Sequence, residues 1–170
     1  EFMGVYLPKK TEIVIFKKGI EKASQIIKCN YLFLECIVRL HEWFHAFIHL
    51  GIDKDMSSKI QTDKNFKIKY IKEATKIFCS IEKKLHEVLV QLLTYHSLSF
   101  ISEKVIYAKS HKLIQQVIEI FFELNRYQPN EYKINRYTNI TFEKIVKSVI
   151  LLKKGFLKGI FEAWEIVVSL

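Results

Sequence analysis

Apolar residues recur along most of the chain at intervals of three and four positions, the spacing that places them on one face of an α-helix. The exception lies near the N-terminus, where residues 10–17 read TEIVIF between two lysines. β-Branched and aromatic residues favour extended structure, so this run predicts a β-strand. A short helix is predicted over residues 19–27, and a longer one over residues 31–50 ends at Gly51, because glycine commonly terminates helices.

Three more helices are predicted downstream, over residues 70–95, 99–125 and 141–169. Ser99 and Thr141 are expected to cap the last two, since hydroxyl side chains accept hydrogen bonds from free amides at helix N-termini. The polar residues 52–65 and 126–139 are expected to form the loops between helices, and the first of these loops has room for a short edge strand. A chain of 170 residues supports one hydrophobic core, so a single domain over residues 1–170 is expected. Its fold class is α+β and predominantly helical.

The chain carries a formal net charge of +9, and its pI is near 9.4. The charge comes mostly from lysines spread over the whole length, a distribution typical of a solvated surface. Nucleic-acid binders more often gather arginine and lysine on one element, whereas the only arginines here are Arg39, Arg126 and Arg136. No nucleic-acid partner is therefore expected, although a basic nucleic-acid-binding protein stays a rival hypothesis.

Cysteine usage and hydropathy bear on the cellular location. Cys29, Cys36 and Cys79 are odd in number, widely spaced and set among apolar residues, so they are expected to be reduced core residues. Reduced thiols indicate an intracellular protein, and a cytoplasmic location is predicted. No apolar stretch is long enough to cross a bilayer, so no transmembrane segment is expected.

The string His41-Glu42-Trp43-Phe44-His45 is an HExxH motif in the middle of the predicted helix over residues 31–50. Residues four apart lie on one helix face, so both imidazoles can reach one zinc ion while Glu42 lies beside them. Zinc acidifies bound water, and a neighbouring carboxylate can accept its proton and pass it to a leaving amine. The motif thus predicts peptide hydrolysis with His41 and His45 as Zn²⁺ ligands and Glu42 as general base.

A catalytic zinc ion usually has a third protein ligand, which another element must supply. Glu87 is the preferred candidate because it lies where the predicted helix over residues 70–95 becomes apolar nearly all round. His86, its neighbour, is the main rival. His49 extends the histidine stripe by one turn, too far along the helix to join a tetrahedral site easily, and is expected to support the ligands or to pack in the core.

The order of these features resembles the small single-domain gluzincins, sometimes called minigluzincins. A TEIVIF strand and a short helix precede an HExxH helix that ends in His-Leu-Gly, and a later helix carries Glu87 before Gln91 and Tyr95. The similarity covers residues 5–129, leaving residues 130–170 as a C-terminal helical extension. Its most specific parts are the four residues His41, Glu42, His45 and Glu87.

The resemblance implies a zincin-like fold, with a small N-terminal sheet over an active-site helix and a glutamate helix. It also implies peptidase activity on peptide or protein substrates, and latency imposed by a C-terminal segment. For the latter, residues 126–139 are expected to lie across the cleft and limit access to the metal. Tyr95 is a candidate donor to the oxyanion of the reaction, although a core or surface role for it is favoured.

The predicted last helix carries an apolar stripe, formed by Ile145, Val149, Leu152, Phe156, Ile160, Trp164 and Val167. Docking on the domain is the favoured role of this stripe, with an oligomer or latency segment and a membrane-surface helix as alternatives. For the whole chain, a rival to the peptidase hypothesis is a non-enzymatic helical interaction or regulatory protein that keeps a zincin-like fold.

Overall fold

The computed structural model describes residues 2–51, 61–104, 108–134 and 140–153. Near the N-terminus, strand β1 (Gly4–Leu7) pairs antiparallel with strand β2 (Glu12–Ile15), and Val5 lies opposite Val14. Strand β2 confirms the predicted strand. Its partner β1 was not predicted, because the strand has only four residues before Pro8 and Val5 is its one β-branched residue.

The first two helices follow the predicted pattern closely. Helix α1 spans Lys17–Ile26, and helix α2 spans Tyr31–Leu50 and ends at Gly51 as expected. The side chain of Asn30 accepts a 2.8 Å hydrogen bond from the backbone N–H of Leu32, which caps the start of α2. The motif helix therefore has the predicted bounds at both ends.

The predicted helix over residues 70–95 is wrong as one continuous element. The structure has two helices, α3 (Lys64–Ser80) and α4 (Lys83–Lys104), because the backbone at Ile81 is extended, with φ −69° and ψ 132°. Asp63 caps α3 by accepting hydrogen bonds from the amides of Asn65 and Phe66. Of the predicted loop over residues 52–65, residues 52–60 lie outside the described residues, and the C-terminal bound is wrong because Lys64 and Asn65 already belong to α3.

The C-terminal half also departs from the predicted bounds. Ser99 lies inside α4 and caps nothing, and the next helix, α5, spans Ala108–Arg126. A 3₁₀ turn at Asn130–Tyr132 precedes helix α6 (Phe142–Lys153), where the Thr141 hydroxyl accepts a 3.3 Å hydrogen bond from Lys144 N–H as predicted. In the apolar stripe of the last helix, Ile145 and Val149 are buried; residues 154–170 lie outside the described part.

Apolar packing joins the helices into one main cluster drawn from α2, α4, α5 and α6, and a smaller cluster joins α1 to the first half of α2. The burial of Ile145 and Val149 in the main cluster supports docking of α6 on the domain. The three cysteines form no disulfide, but Cys36 and Cys79 are exposed, so a core position is wrong for these two. Among the described helices, none has the length and apolar character needed to cross a bilayer.

Candidate metal centre

Two histidines of helix α2 converge because they are four residues apart on one helix face. The Nε2 atoms of His41 and His45 lie 3.1 Å apart, and His45 is buried whereas His41 is partly exposed. Burial lowers the pKa of His45 to about 2, and the neighbouring His41 and His86 act in the same direction. His45 is therefore neutral at physiological pH, the form in which imidazole binds metals.

Helix α4 packs on α2 and brings Glu87 to the same point. The Oε2 atom of Glu87 lies 3.6 Å from His41 Nε2 and 3.8 Å from His45 Nε2. Burial acts to raise the pKa of Glu87, but a hydrogen bond from His41 and the charges of His41, His86 and Lys83 outweigh it and lower the pKa. Glu87 thus presents a carboxylate to the two imidazoles with which the sequence predicts it to share a metal ion.

These three side chains match the donor set of a metal site. Two imidazole nitrogens and one carboxylate oxygen, each about 2.0–2.2 Å from a tetrahedral zinc ion, would be separated by about 3.3–3.6 Å. The observed separations of 3.1, 3.6 and 3.8 Å need only small adjustments to reach that geometry. The cluster of His41, His45 and Glu87 can therefore hold a metal ion.

Glu42 lies beside the cluster, pressed between helix α2 and strand β1. It is buried, and a Cβ atom at Gly4 would come within 2.8 Å of Glu42 Cγ. Only glycine therefore lets the strand approach this closely. Burial is the main cause that raises the pKa of Glu42; Glu87 adds to it, while His41 and the backbone of Tyr6 oppose it. A raised pKa brings a carboxyl nearer to the range of an effective general base.

His86, the rival ligand, points at a different atom. Its Nε2 lies 3.3 Å from Nδ1 of His45, on the side of that ring away from the cluster. If His45 binds a metal through Nε2, its proton is on Nδ1 and His86 Nε2 is the acceptor. Burial lowers the pKa of His86 to about 4, so its ring is neutral and can offer one unprotonated nitrogen as an acceptor. His86 therefore contacts the far side of the His45 ring and is not part of the cluster of His41, His45 and Glu87.

His49 is a buried link between three elements. The Tyr6 hydroxyl lies 2.6 Å from His49 Nδ1, and His49 Nε2 lies 2.9 Å from the Thr75 hydroxyl oxygen. Because the Thr75 hydroxyl donates its hydrogen to the carbonyl of Ile71, it must accept from His49 Nε2–H. Tyr6 then donates to His49 Nδ1. This chain fastens strand β1 to α2 and α3, which agrees with the supporting or core role expected of His49.

A cavity of about 540 Å³ opens over the cluster. Strand β1 forms part of its wall. The end of α5 and the residues that follow it form another part, which includes Gln128, Pro129 and Tyr132. Tyr95 is not a lining residue; its ring packs on Phe121 and Phe122. It is therefore a packing residue, the role favoured for it.

Several residues around the cavity were missed by sequence reasoning. Gly4 and Tyr6 line it, but no motif or spacing marks them, because β1 was not predicted. Tyr132 also lines it; it lies in the segment 126–139 that was expected near the cleft, although no pattern singled out this residue. Gln91 also lines the cavity; its position one turn after Glu87 on α4 was the available signal.

Comparisons with models of protein families, with curated proteins and with solved structures found no match to this chain. The gluzincin resemblance therefore stays a prediction that depends on the residues themselves.

Proposed function

We propose that this chain is a zinc-dependent peptidase in which His41, His45 and Glu87 hold the metal and Glu42 is the general base. The convergence of these three donors beside a buried glutamate carries the proposal. Two nitrogens and one carboxylate oxygen leave one position of a tetrahedral site open, as in catalytic rather than structural zinc sites. A zincin-like fold of gluzincin type goes with this proposal.

Each residue has a role that follows from its position. Zinc, when bound, supplies the Lewis acidity that makes water a stronger acid near neutral pH. Glu42 takes a proton from water at its carboxylate and gives it to the amine that leaves when the peptide bond breaks. Gly4 keeps β1 close enough to hold Glu42 in place, and the cavity wall formed by the strand limits the directions from which a peptide can approach.

The test begins with metal content and then separates binding from chemistry. Protein purified without added metal and then titrated with zinc should bind one ion per chain, measured by elemental analysis. Glu42→Gln should abolish peptide hydrolysis but keep zinc, because an amide has the same shape and cannot accept the proton. His45→Ala should lose the metal. Glu82→Gln, the same change at an exposed glutamate, is the matched control and should leave both properties unchanged.

The rival hypothesis of a non-enzymatic interaction or regulatory protein makes a different prediction. It predicts stoichiometric zinc without hydrolysis of any peptide, and a Glu42→Gln variant that behaves like the unaltered chain. Hydrolysis that survives Glu42→Gln would contradict the role of Glu42 even if zinc is required.

We also propose that the residues after α5 restrict access to the site. Gln128, Pro129 and Tyr132 line the cavity, and the Asn125 side chain hydrogen-bonds both the N–H and the carbonyl of Ile134, at 3.2 and 2.9 Å. A segment held intramolecularly competes with substrate at high effective concentration. If the residues after α5 block the substrate, Tyr132→Gly should therefore increase the rate of peptide hydrolysis. An unchanged rate would mean that these residues only pack against the domain.

A cytoplasmic location completes the proposal. It is supported by three unpaired cysteines, two of them exposed, since exposed thiols persist in a reducing compartment.

A further inference from the structure

One polar side chain in the cavity has no protein partner. Gln91 is 5% exposed and lines the cavity, yet within the described ranges its amide makes no hydrogen bond to another residue. The amide nitrogen and oxygen are reached by solvent through the cavity, since among the described residues only His96 Nε2 is both fully buried and without a hydrogen-bond partner. Water, or a polar group of a ligand that displaces it, therefore supplies the hydrogen bonds of this amide.

The surroundings of Gln91 have the character of a side-chain pocket beside the metal position. Gln91 is one helical turn after Glu87 on α4, so the two side chains share a face. The apolar part of the cavity lining comes from the turn of α2 before His41 and from the end of α5: Ile37, Val38, Phe121 and Leu124. The amides of Asn125 and Gln128 also line the cavity. Asn125 already bonds Ile134, and Gln91 is more buried than Gln128.

We propose that Gln91 selects the substrate side chain next to the bond to be cleaved, favouring an uncharged side chain with an apolar stem and a hydrogen-bonding end, as in glutamine or asparagine. This inference rests on the proposed peptidase function. A carboxamide offers both a donor and an acceptor, so it can satisfy both halves of the Gln91 amide. A charged end would lose hydration in the cavity, and the neutral Gln91 amide offers it no counter-charge.

The expected size of the preference for glutamine follows from a comparison with a purely apolar pocket. A purely apolar pocket discriminates weakly between side chains of equal size, whereas a pocket that must hydrogen-bond its ligand rejects an analogue that leaves its own polar group unpaired. The hydrolysis rate of a peptide with glutamine at this position should therefore be about tenfold or more above that of the same peptide with methionine, which has a similar shape.

The experiment uses zinc-loaded protein and two peptide series, which vary one residue before or after the cleaved bond. Rates are measured with the unaltered chain, and binding is measured by calorimetry with the Glu42→Gln variant, which keeps the metal but does not turn over. Gln91→Met should abolish or reverse the preference for glutamine over methionine. Gln91→Glu, a second variant of similar shape, should shift the preference to lysine. Gln116→Met, the same change at an exposed glutamine, is the control.

Each outcome decides between the two proposals. Peptides cleaved with equal rates in the glutamine and methionine series, or with a preference unchanged by Gln91→Met, overturn the role of Gln91 while the peptidase function stands. Peptides that bind with a preference dependent on residue 91 but are never cleaved support the pocket and overturn the peptidase function. Zinc-loaded protein that neither binds nor cleaves any peptide, in the unaltered chain and in the Tyr132→Gly variant alike, overturns both.

Discussion

The Nε2 atom of His86 lies 3.3 Å from Nδ1 of His45, so one buried histidine orients another that belongs to the metal cluster. Such partners fix the tautomer and the ring orientation of a metal ligand. Replacing His86 by alanine should weaken zinc binding by about 10- to 100-fold while leaving the three ligands in place. Competition with a chromogenic chelator measures this change.

His86→Gln is the matched variant, because the glutamine Oε1 atom can take the place of the imidazole Nε2 as acceptor. It should recover most of the zinc affinity that His86→Ala loses. If glutamine is as damaging as alanine, His86 is itself a ligand; if alanine has no effect, the hydrogen bond does not support the site.

Gly4 provides a test of how closely β1 must approach the motif helix. In Gly4→Ala the new methyl group would meet Glu42 Cγ at 2.8 Å and Val38 Cγ1 at 2.9 Å, so strand or carboxylate must shift. Overpacking of this kind typically costs about 1–3 kcal/mol. Peptide hydrolysis should fall by at least about tenfold, since misplacing a catalytic group costs rate steeply. Zinc content should stay at one per chain.

The control for Gly4→Ala is Leu7→Ala at the other end of the same strand, which does not line the cavity. It should lower the free energy of unfolding without the specific loss of hydrolysis. Equal activity in the two variants, after correction for the folded fraction, would show that Glu42 does not depend on the close approach at Gly4.

Stability of the metal-free protein should depend on pH through the buried histidines. The pKa is lowered to about 2 for His45 and to about 4 for His86, against about 6.5 in an unfolded chain. The unfolded state therefore binds protons that the folded state does not. The stability contributed by the neutral rings is complete well above pH 6.5 and is lost as pH falls, down to about 4 for His86 and about 2 for His45. At pH 5 the loss is roughly 2 kcal/mol for each histidine.

Urea unfolding in the presence of a chelator, at several pH values between 7 and 5, measures this loss. His86→Gln should reduce the slope, because one of the two groups is removed. His111→Gln, at an exposed histidine, should leave it unchanged. A flat dependence in the unaltered chain would mean that the rings open to solvent and charge without unfolding.

The Tyr6–His49 hydrogen bond should contribute measurably to stability. Tyr6→Phe removes the donor to a histidine that is 1% exposed, leaving its Nδ1 without this partner, at a cost of about 1–3 kcal/mol. A double-mutant cycle with Thr75→Val should give a coupling energy above about 0.5 kcal/mol, since both residues bond the same ring. Additive losses would show that the two bonds act independently.

The sequence predicted the structure best where a chemical motif lies within a clear helical periodicity. Helix α2 has its predicted bounds because Asn30 and Gly51 mark both ends, and the four-residue spacing of His41 and His45 is fixed by helical geometry. The position of Glu87 was also predictable, since a carboxylate in an apolar helix segment needs a partner.

Other features depend on tertiary contacts that no local pattern encodes. The break at Ile81 falls within a periodic run, so residues 70–95 read as one helix although α4 begins only at Lys83. Strand β1 is four residues long, and its position over Glu42 is set by the Tyr6–His49 hydrogen bond across 43 residues of sequence. The contact between His86 and His45 likewise forms only when helices α2 and α4 pack against each other in one particular register.

The side chain of Asn125 imitates a neighbouring strand, giving Ile134 one donor and one acceptor as a backbone would. The Ile134 amide is consequently a built-in reporter on the cavity wall. Its exchange with deuterium is slow while the Asn125 side chain bonds the Ile134 backbone, and becomes faster when the residues after α5 move away from the cavity. A peptide that displaces the residues after α5 should expose this amide and increase its exchange rate. A peptide that binds beneath these residues should protect the amide and decrease that rate. The direction of the change in exchange rate therefore distinguishes two modes of peptide entry.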